Sequence, residues 1–342
     1  MKQILLTLMV VFLGGSVLSA EEDNHYFVKT DGEGSGTSWD DALNNLQAAL
    51  EIAVSGDLIW VAQGTYLPTE GADRTASFII PDGVTVLGGF AGTEITLEER
   101  DYLQTPTILS GDIGEADVLE DNSYTVVYFS NVSASTVLDG FVITEGYAGG
   151  ISEGADVTIC GGGIFNNGEY GLSSPTIKNC ILLNNHSREG GALYNYAYEG
   201  EASPNISDCT FIDNRSDFNG GAVFNDGNLG ICNPNFTNCR FSGNESMYGA
   251  GLLNRGLYGT CQPILTNCSF TDNFSVVRGG AIYNQREGRG VCEAQIANCV
   301  FEDNGATIGD GDVDQTIKMI NEESATPRRS GIRVRTAEAI SY

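Results

Sequence analysis

In the second half of the chain one alternation of small, apolar, aromatic and amide positions recurs. Gly-Gly-x-hydrophobic-aromatic-Asn stands at 161–166, 190–195, 220–225, 249–254 and 279–284. Each copy is followed by Cys-x-Phe-x-x-Asn, at 180–185, 209–214, 239–244, 268–273 and 299–304. Successive asparagines of the first element are 29, 30, 29 and 30 residues apart, and those of the second 29, 30, 29 and 31. A self-similar period of this size marks a solenoid. A coil of that length accommodates three short strands and three turns, the circuit of a parallel β-helix, with coils about 4.8 Å apart.

The first half has a different pattern. Trp39, Ala42, Leu43, Leu46, Ala49, Leu50 and Ala53 recur at helical spacing and predict one amphipathic helix over 38–54, stopped by Gly56. Short β-rich runs follow at Leu58–Ala62, 77–80, 84–90, Thr107–Ser110, 125–129 and 136–144. The expected organisation is a leader at 1–20, a cap with the helix at 21–56, a β-helix at 57–304 and a second cap or tail at 305–342. An open rod exposes unpaired strands at its ends, and the helix is placed to cover the first.

In such a rod each repeated letter has a structural task. Gly-Gly allows a sharp turn. Leu193, Val223, Leu252 and Ile282 should stack as one column inside, and Leu182, Phe211, Phe241, Phe270 and Phe301 as another. Asn185, Asn214, Asn244, Asn273 and Asn304 should form a ladder of side-chain amides. The first four also begin Asn-x-Ser sequons, which a ladder Asn followed by a turn Ser would produce without any glycan.

Composition narrows the partners. With 17 basic and 45 acidic residues the net charge is −28, which argues against nucleic acid and repels polyanionic polysaccharides unless a divalent cation bridges them. Lys2, the apolar run at 4–13 and Val17-Leu18-Ser19-Ala20 read as an export signal, and no later stretch approaches a membrane span. The expected location is therefore extracellular or at the cell surface. Of the nine cysteines, Cys180, Cys209, Cys239, Cys268 and Cys299 form one column and Cys232, Cys261 and Cys292 a second, with Cys160 outside both. They read as small core residues, with disulfides within each seven-residue pair left open.

Candidate chemistry is sparse. Asp213, Asp272 and Asp303 share a repeat position, but Asn184 and Gly243 interrupt it, and Arg188, Arg215 and Arg278 are dispersed around it. His25 and His186 accompany no nucleophile motif, so no catalytic residue is assigned. Asp310, Asp312 and Asp314 alternate and would suit calcium, although the EF-hand pattern fails at Gln315 and Asn321. No cofactor is required, and calcium is the one ion this reading allows. Strand alternation turns Phe165, Tyr194, Phe224 and Tyr283 outward as an aromatic stripe able to pack on sugar rings or on a protein.

Gly-Gly-Ala-aliphatic at 190, 220 and 279, alternating with Phe-x-x-Asn at 211, 241, 270 and 301, resembles the repeat pair of chlamydial polymorphic outer-membrane proteins. More broadly the chain resembles right-handed parallel β-helix (pectin-lyase-like) proteins. The runs Ile59-Trp60-Val61-Ala62, Gly88-Gly89-Phe90-Ala91-Gly92 and Leu138-Asp139-Gly140-Phe141 are similar to exported β-helix proteins of environmental bacteria. The resemblance covers about residues 26 to 304, departing at Gly249-Ala250-Gly251 and at Leu182. It implies an all-β right-handed parallel β-helix, here with an N-terminal α-helical cap, in a superfamily of lyases, hydrolases and adhesins. The functional expectation is an exported, non-catalytic module that binds a glycan or a surface protein. The alternative is a polysaccharide lyase or glycoside hydrolase.

Overall fold

The computed structural model describes residues 24–314, except Asp117 and Glu153, together with residues 317–319. The expected leader at 1–20 and the rest of the C-terminal tail lie outside the described residues. The chain winds as an all-β, right-handed-type parallel solenoid of about nine turns with little helix.

Each regular coil contributes four strands, one more than the period suggested. In the coil beginning at Thr176 these are Thr176–Lys178 (sheet I), Ile181–Leu183 (sheet II), His186–Glu189 (sheet III) and Leu193–Tyr196 (sheet IV). Their counterparts one coil later pair with them in parallel. The four sheets hold ten, eight, six and eight strands respectively. The extra strand follows from the corners. Each is turned by a residue in the left-handed region: Asn179, Asn184, Gly190 and Glu199 in this coil, with φ of 53, 53, 67 and 49°. Asn, Asp and Gly tolerate that conformation best. This accounts for the broken column Asn184, Asp213, Gly243, Asp272 and Asp303, which occupies one corner throughout and is a backbone requirement.

Stacking of like residues holds as expected. Leu193 pairs with Val223, and Phe211 with Phe241. The Phe211, Phe241, Phe270 and Phe301 rings stack with centroids 4.8, 4.5 and 5.1 Å apart, nearly coplanar in orientation. The predicted amide ladder is continuous: Asn185 to Asn214 at 3.1 Å, Asn214 to Asn244 at 3.0 Å, Asn244 to Asn273 at 2.8 Å and Asn273 to Asn304 at 2.9 Å. A second interior ladder runs from Asn166 through Asn195, Asn225 and Asn254 to Asn284, with steps of 2.8–2.9 Å. All nine cysteines are free and buried. In the five-membered column each thiol donates to a backbone carbonyl, as Cys209 does to Ser207 at 3.2 Å.

The N-terminal expectation needs correction. Instead of one helix over 38–54 there is a 3₁₀ turn at Trp39–Asp41 and a short helix at Leu46–Ile52. Between them Leu43 is drawn into backbone hydrogen bonds with Phe27 and Lys29, and Asn45 caps the helix by accepting from the Ala48 amide at 2.7 Å. Sheet pairing outweighs helical propensity there. Leu46, Ala49 and Leu50 still reach the common core, beside Val28 and Phe78.

Candidate functional site

Two parts of the outer surface combine side chains from several coils: the outer face of sheet IV, and the corner between sheets I and II.

On sheet IV, Phe165, Tyr194 and Phe224 stack in register and point away from the interior, as alternation requires, and Leu253 separates them from Tyr283 in the same column. They are not exposed, however. Phe165 and Tyr194 are 2% accessible and Phe224 1%. With Ile159, Cys160 and Leu253 they form an apolar cluster of their own, against which Ala155, Val157 and Tyr248 pack. The expected open stripe is thus a covered seam, with only Tyr283 half-buried, because the chain before Cys160 folds across it.

A charged group sits in this seam. Asp226 is fully buried. The Arg255 guanidinium, one coil away, binds both of its oxygens, with the Nε bond at 2.9 Å, and the Tyr194 hydroxyl donates to Oδ2 at 2.9 Å. Arg255 also lies 4.8 Å over the Phe224 ring. Nearby, the partly buried Glu189 ends the sheet III strand, and Asn219 donates to its Oε2 at 2.8 Å. Burial pushes the Glu189 carboxyl up to about 7; the Asn219 hydrogen bond and the Arg255 charge oppose the rise, while the Asp226 charge adds to it. A carboxyl titrating near neutrality beside a fixed arginine has the character of a general acid or base. Burial also raises the Cys160 thiol well above its ordinary value, leaving it protonated and inert.

Sequence reading missed Glu189, Asp226 and Arg255. A signal did exist: Tyr196, Asp226 and Arg255 each follow a ladder asparagine, so opposite charges occupy one column a coil apart.

The I/II corner is open to water. Asn238 donates to Asp208 at 3.0 Å, Asn267 to Asn238 at 3.2 Å and Asn298 to Asn267 at 3.3 Å, and all four side chains are exposed. Hydroxyls flank this outer ladder, Ser207, Thr237 and Thr266 in a row on sheet I, and Thr210 and Ser269 on sheet II with Arg240 between them.

At the C-terminal end, Asp312 is 2% accessible, accepts from the Asn304 side chain at 3.3 Å, and donates its amide to Asp310 at 3.1 Å. Burial, with the Asp310 and Asp303 charges, holds its carboxyl above the usual range. The Asp314 side chain lies outside the described residues. The structure brings Asp312 to the end of the interior ladder; among the described residues no group of three or more His, Cys, Asp or Glu is arranged for a metal.

The model of the Chlamydia polymorphic membrane protein repeat matches residues 208–226 and 267–285. Each match spans sheets II to IV of one coil and includes a member of both interior ladders. The chain is a parallel β-helix in which two coils match this repeat model. Among solved structures, pectate lyase Pel9A is similar over 87% of this chain and 78% of its own, at 11% identity and a TM-score of 0.44. A rhamnogalacturonan lyase is similar over 91% of this chain and 90% of its own, at 13% identity and a TM-score of 0.35. No curated protein matches the chain. Among the described residues no helix is long and apolar enough to cross a membrane.

Proposed function

We propose that this chain is an exported or cell-surface β-helix that binds an uncharged extracellular glycan, or a surface protein, without turning it over. The outer ladder at the I/II corner carries this reading. Asn238 and Asn267 each spend one donor and one acceptor on the row, which leaves each amide a second N–H and a second lone pair toward water. A row of such groups at one-coil spacing, bordered by hydroxyls, suits a ligand rich in hydroxyls, and the net charge of −28 favours an uncharged one. The buried rings Phe165, Tyr194 and Phe224 support the wall and do not take part in contact. Titration calorimetry against a panel of neutral and acidic glycans tests the idea. Binding of a neutral glycan, lost in the double variant Asn238→Ala/Asn267→Ala, is expected; binding unaffected by that variant would count against this surface.

Glu189, with its carboxyl at about 7 beside Arg255, favours a second reading as a polysaccharide lyase or glycoside hydrolase. Against it, Asp226 is saturated by Arg255 and Tyr194. Lyase action would release unsaturated, ultraviolet-absorbing sugars and hydrolysis would release reducing ends. Either product, abolished by Glu189→Gln, would replace the first reading.

A further inference from the structure

The coil that follows Ser110 leaves the rod. Between the strands Thr107–Ser110 and Val127–Ser130 the described residues form no sheet III strand; they instead make an acidic excursion containing Asp112, Glu115, Glu120 and Asp121. Its base is firmly tied. The Gly111 amide donates to Thr144 O at 2.9 Å, and the Ser123 amide donates to Gly111 O at 2.8 Å. The Asn122 side-chain amide donates to Glu145 O at 2.9 Å, and Arg74 Nε donates to Asn122 O at 2.6 Å.

Four oxygens within this tied base lie out of contact with water and have no hydrogen-bond partner among the described residues: Asp112 Oδ1, Asp121 Oδ1, Asn122 Oδ1 and Ser123 Oγ. Asn122 is 2% accessible and Ser123 fully buried. The two ends of the loop face each other. Ser123 hydrogen-bonds to Gly111, the neighbour of Asp112, and Asp121 Oδ2 accepts the Glu115 amide at 2.8 Å. Gly114 makes room for this: a Cβ there would stand 2.2 Å from the Asp121 carboxyl carbon.

An acceptor buried without a donor costs about 1–3 kcal/mol, and more when it carries charge. Three such acceptors in one loop, two of them on carboxylates, with a buried hydroxyl beside them, call for a cation or further donors. Among the described ion pairs none involves Asp112 or Asp121. Arg74, a nearby cation, gives Nε to the Asn122 carbonyl and Nη2 to the Tyr147 carbonyl and lies 4.0 Å over the Tyr124 ring, with no bond or ion pair to Asp112 or Asp121 among the described contacts. The donor set is all oxygen, with two carboxylates, an amide and a hydroxyl. That set suits a hard divalent ion tolerant of irregular geometry, and offers nothing to an ion that wants nitrogen or sulfur.

We propose that Asp112, Asp121, Asn122 and Ser123 bind one calcium ion, which fixes the excursion against the rod. Carbonyls and water would supply the remaining ligands calcium takes. The site is separate from the Asp310–Asp312 turn and independent of any glycan reading. The test uses the full exported chain after chelator treatment, titrated with calcium chloride by calorimetry and followed by thermal denaturation. One equivalent of saturable binding and a raised melting temperature are expected, with magnesium at equal concentration giving a smaller rise. Asp112→Asn and Asp121→Asn, each of nearly unchanged shape, should weaken binding on the order of tenfold or more, whereas Asp310→Asn/Asp312→Asn should leave this equivalent in place. Without calcium, Asp121→Asn should melt higher than the parent chain, because it removes an uncompensated charge. That last measurement needs no calcium-loaded variant. No binding at millimolar calcium, or binding undiminished in both single variants, would overturn the proposal.

Discussion

The regular coils after Gly161 and the irregular coils before it bury their polar groups by opposite means. In the regular half the solution is copied from coil to coil. Asn244 accepts from both the amide and the side chain of Asn214, and donates to Phe211 O and to Asn273. In the irregular half a buried group depends on a partner particular to it, as Asp226 does among the regular coils. Asp139 receives Arg100 at 2.8 Å, Asn179 at 2.8 Å and Lys178 at 3.4 Å, with Arg100 and Asp139 side chains only 7% and 5% accessible. Arg100 also donates to Gly88 O and so pins the excursion after Phe90 to the rod. Among the described residues the unpartnered buried atoms divide the same way. His25, Gln47, Trp60, Asp112, Asp121, Asn122 and Ser123 contribute them before Gly161, and Ser187 after it. Repetition solves hydrogen bonding once and reuses the answer; a coil without neighbours of its own kind needs single pins, or a ligand.

The sharpest test of that contrast removes a member of the interior ladder. Asn244→Ala orphans groups in the coils on both sides, so a loss of about 4 kcal/mol is expected from urea denaturation. The pin comes next. Asp139→Ala leaves Arg100 buried without its carboxylate, at a cost of about 3 kcal/mol. The two losses should also differ in reach. Hydrogen exchange in Asn244→Ala should increase in the coils above and below, whereas in Asp139→Ala it should rise chiefly around Arg100. Equal spread in both would break the distinction between copied and single solutions.

The same distinction explains what could be read from the letters alone. The Phe211–Phe301 column, the Asn185–Asn304 ladder and the two cysteine columns were legible because stacking places identical residues over one another. Strand alternation correctly turned Phe165, Tyr194 and Phe224 away from the interior. It carried no information about the segment that covers them, which lies outside the repeat. Arg100 and Asp139 are 39 residues apart in no repeated frame, so nothing in their spacing joins them. The helix expected over 38–54 failed at Leu43 for the same reason: its pairing with the first strand is long-range.

Glu189 tests whether the covered seam behaves as interior or as surface. Its carboxyl is raised from the ordinary value of 4.5 to about 7, so between those values the folded chain holds a proton that the unfolded chain has released. Stability from this group therefore falls as pH rises from about 4.5 to 7, and the penalty is complete above that. Glu189→Gln should remove the slope and gain roughly 1 kcal/mol over the parent at pH 8, discounted because the side chain is partly exposed, with no gain at pH 4. Chemical denaturation of both chains at the two pH values measures it. A constant difference would place the carboxyl in water.

The smallest effect belongs to the outer ladder. Asn238 accepts from the Asn267 amide much as Asn244 accepts from Asn214, and donates to the Asp208 carboxylate, yet water can replace each contact. Asn238→Ala should therefore cost less than about 0.5 kcal/mol, several-fold below its interior counterpart, in the same urea experiment. The comparison separates geometry from environment, because the two rows share a spacing of one coil and differ in burial. A loss matching that of Asn244→Ala would mean that stacking itself, rather than removal from water, supplies the ladder's stability, and an exposed row would then be needed to hold the rod together. A near-neutral result leaves its donors and acceptors available to a partner.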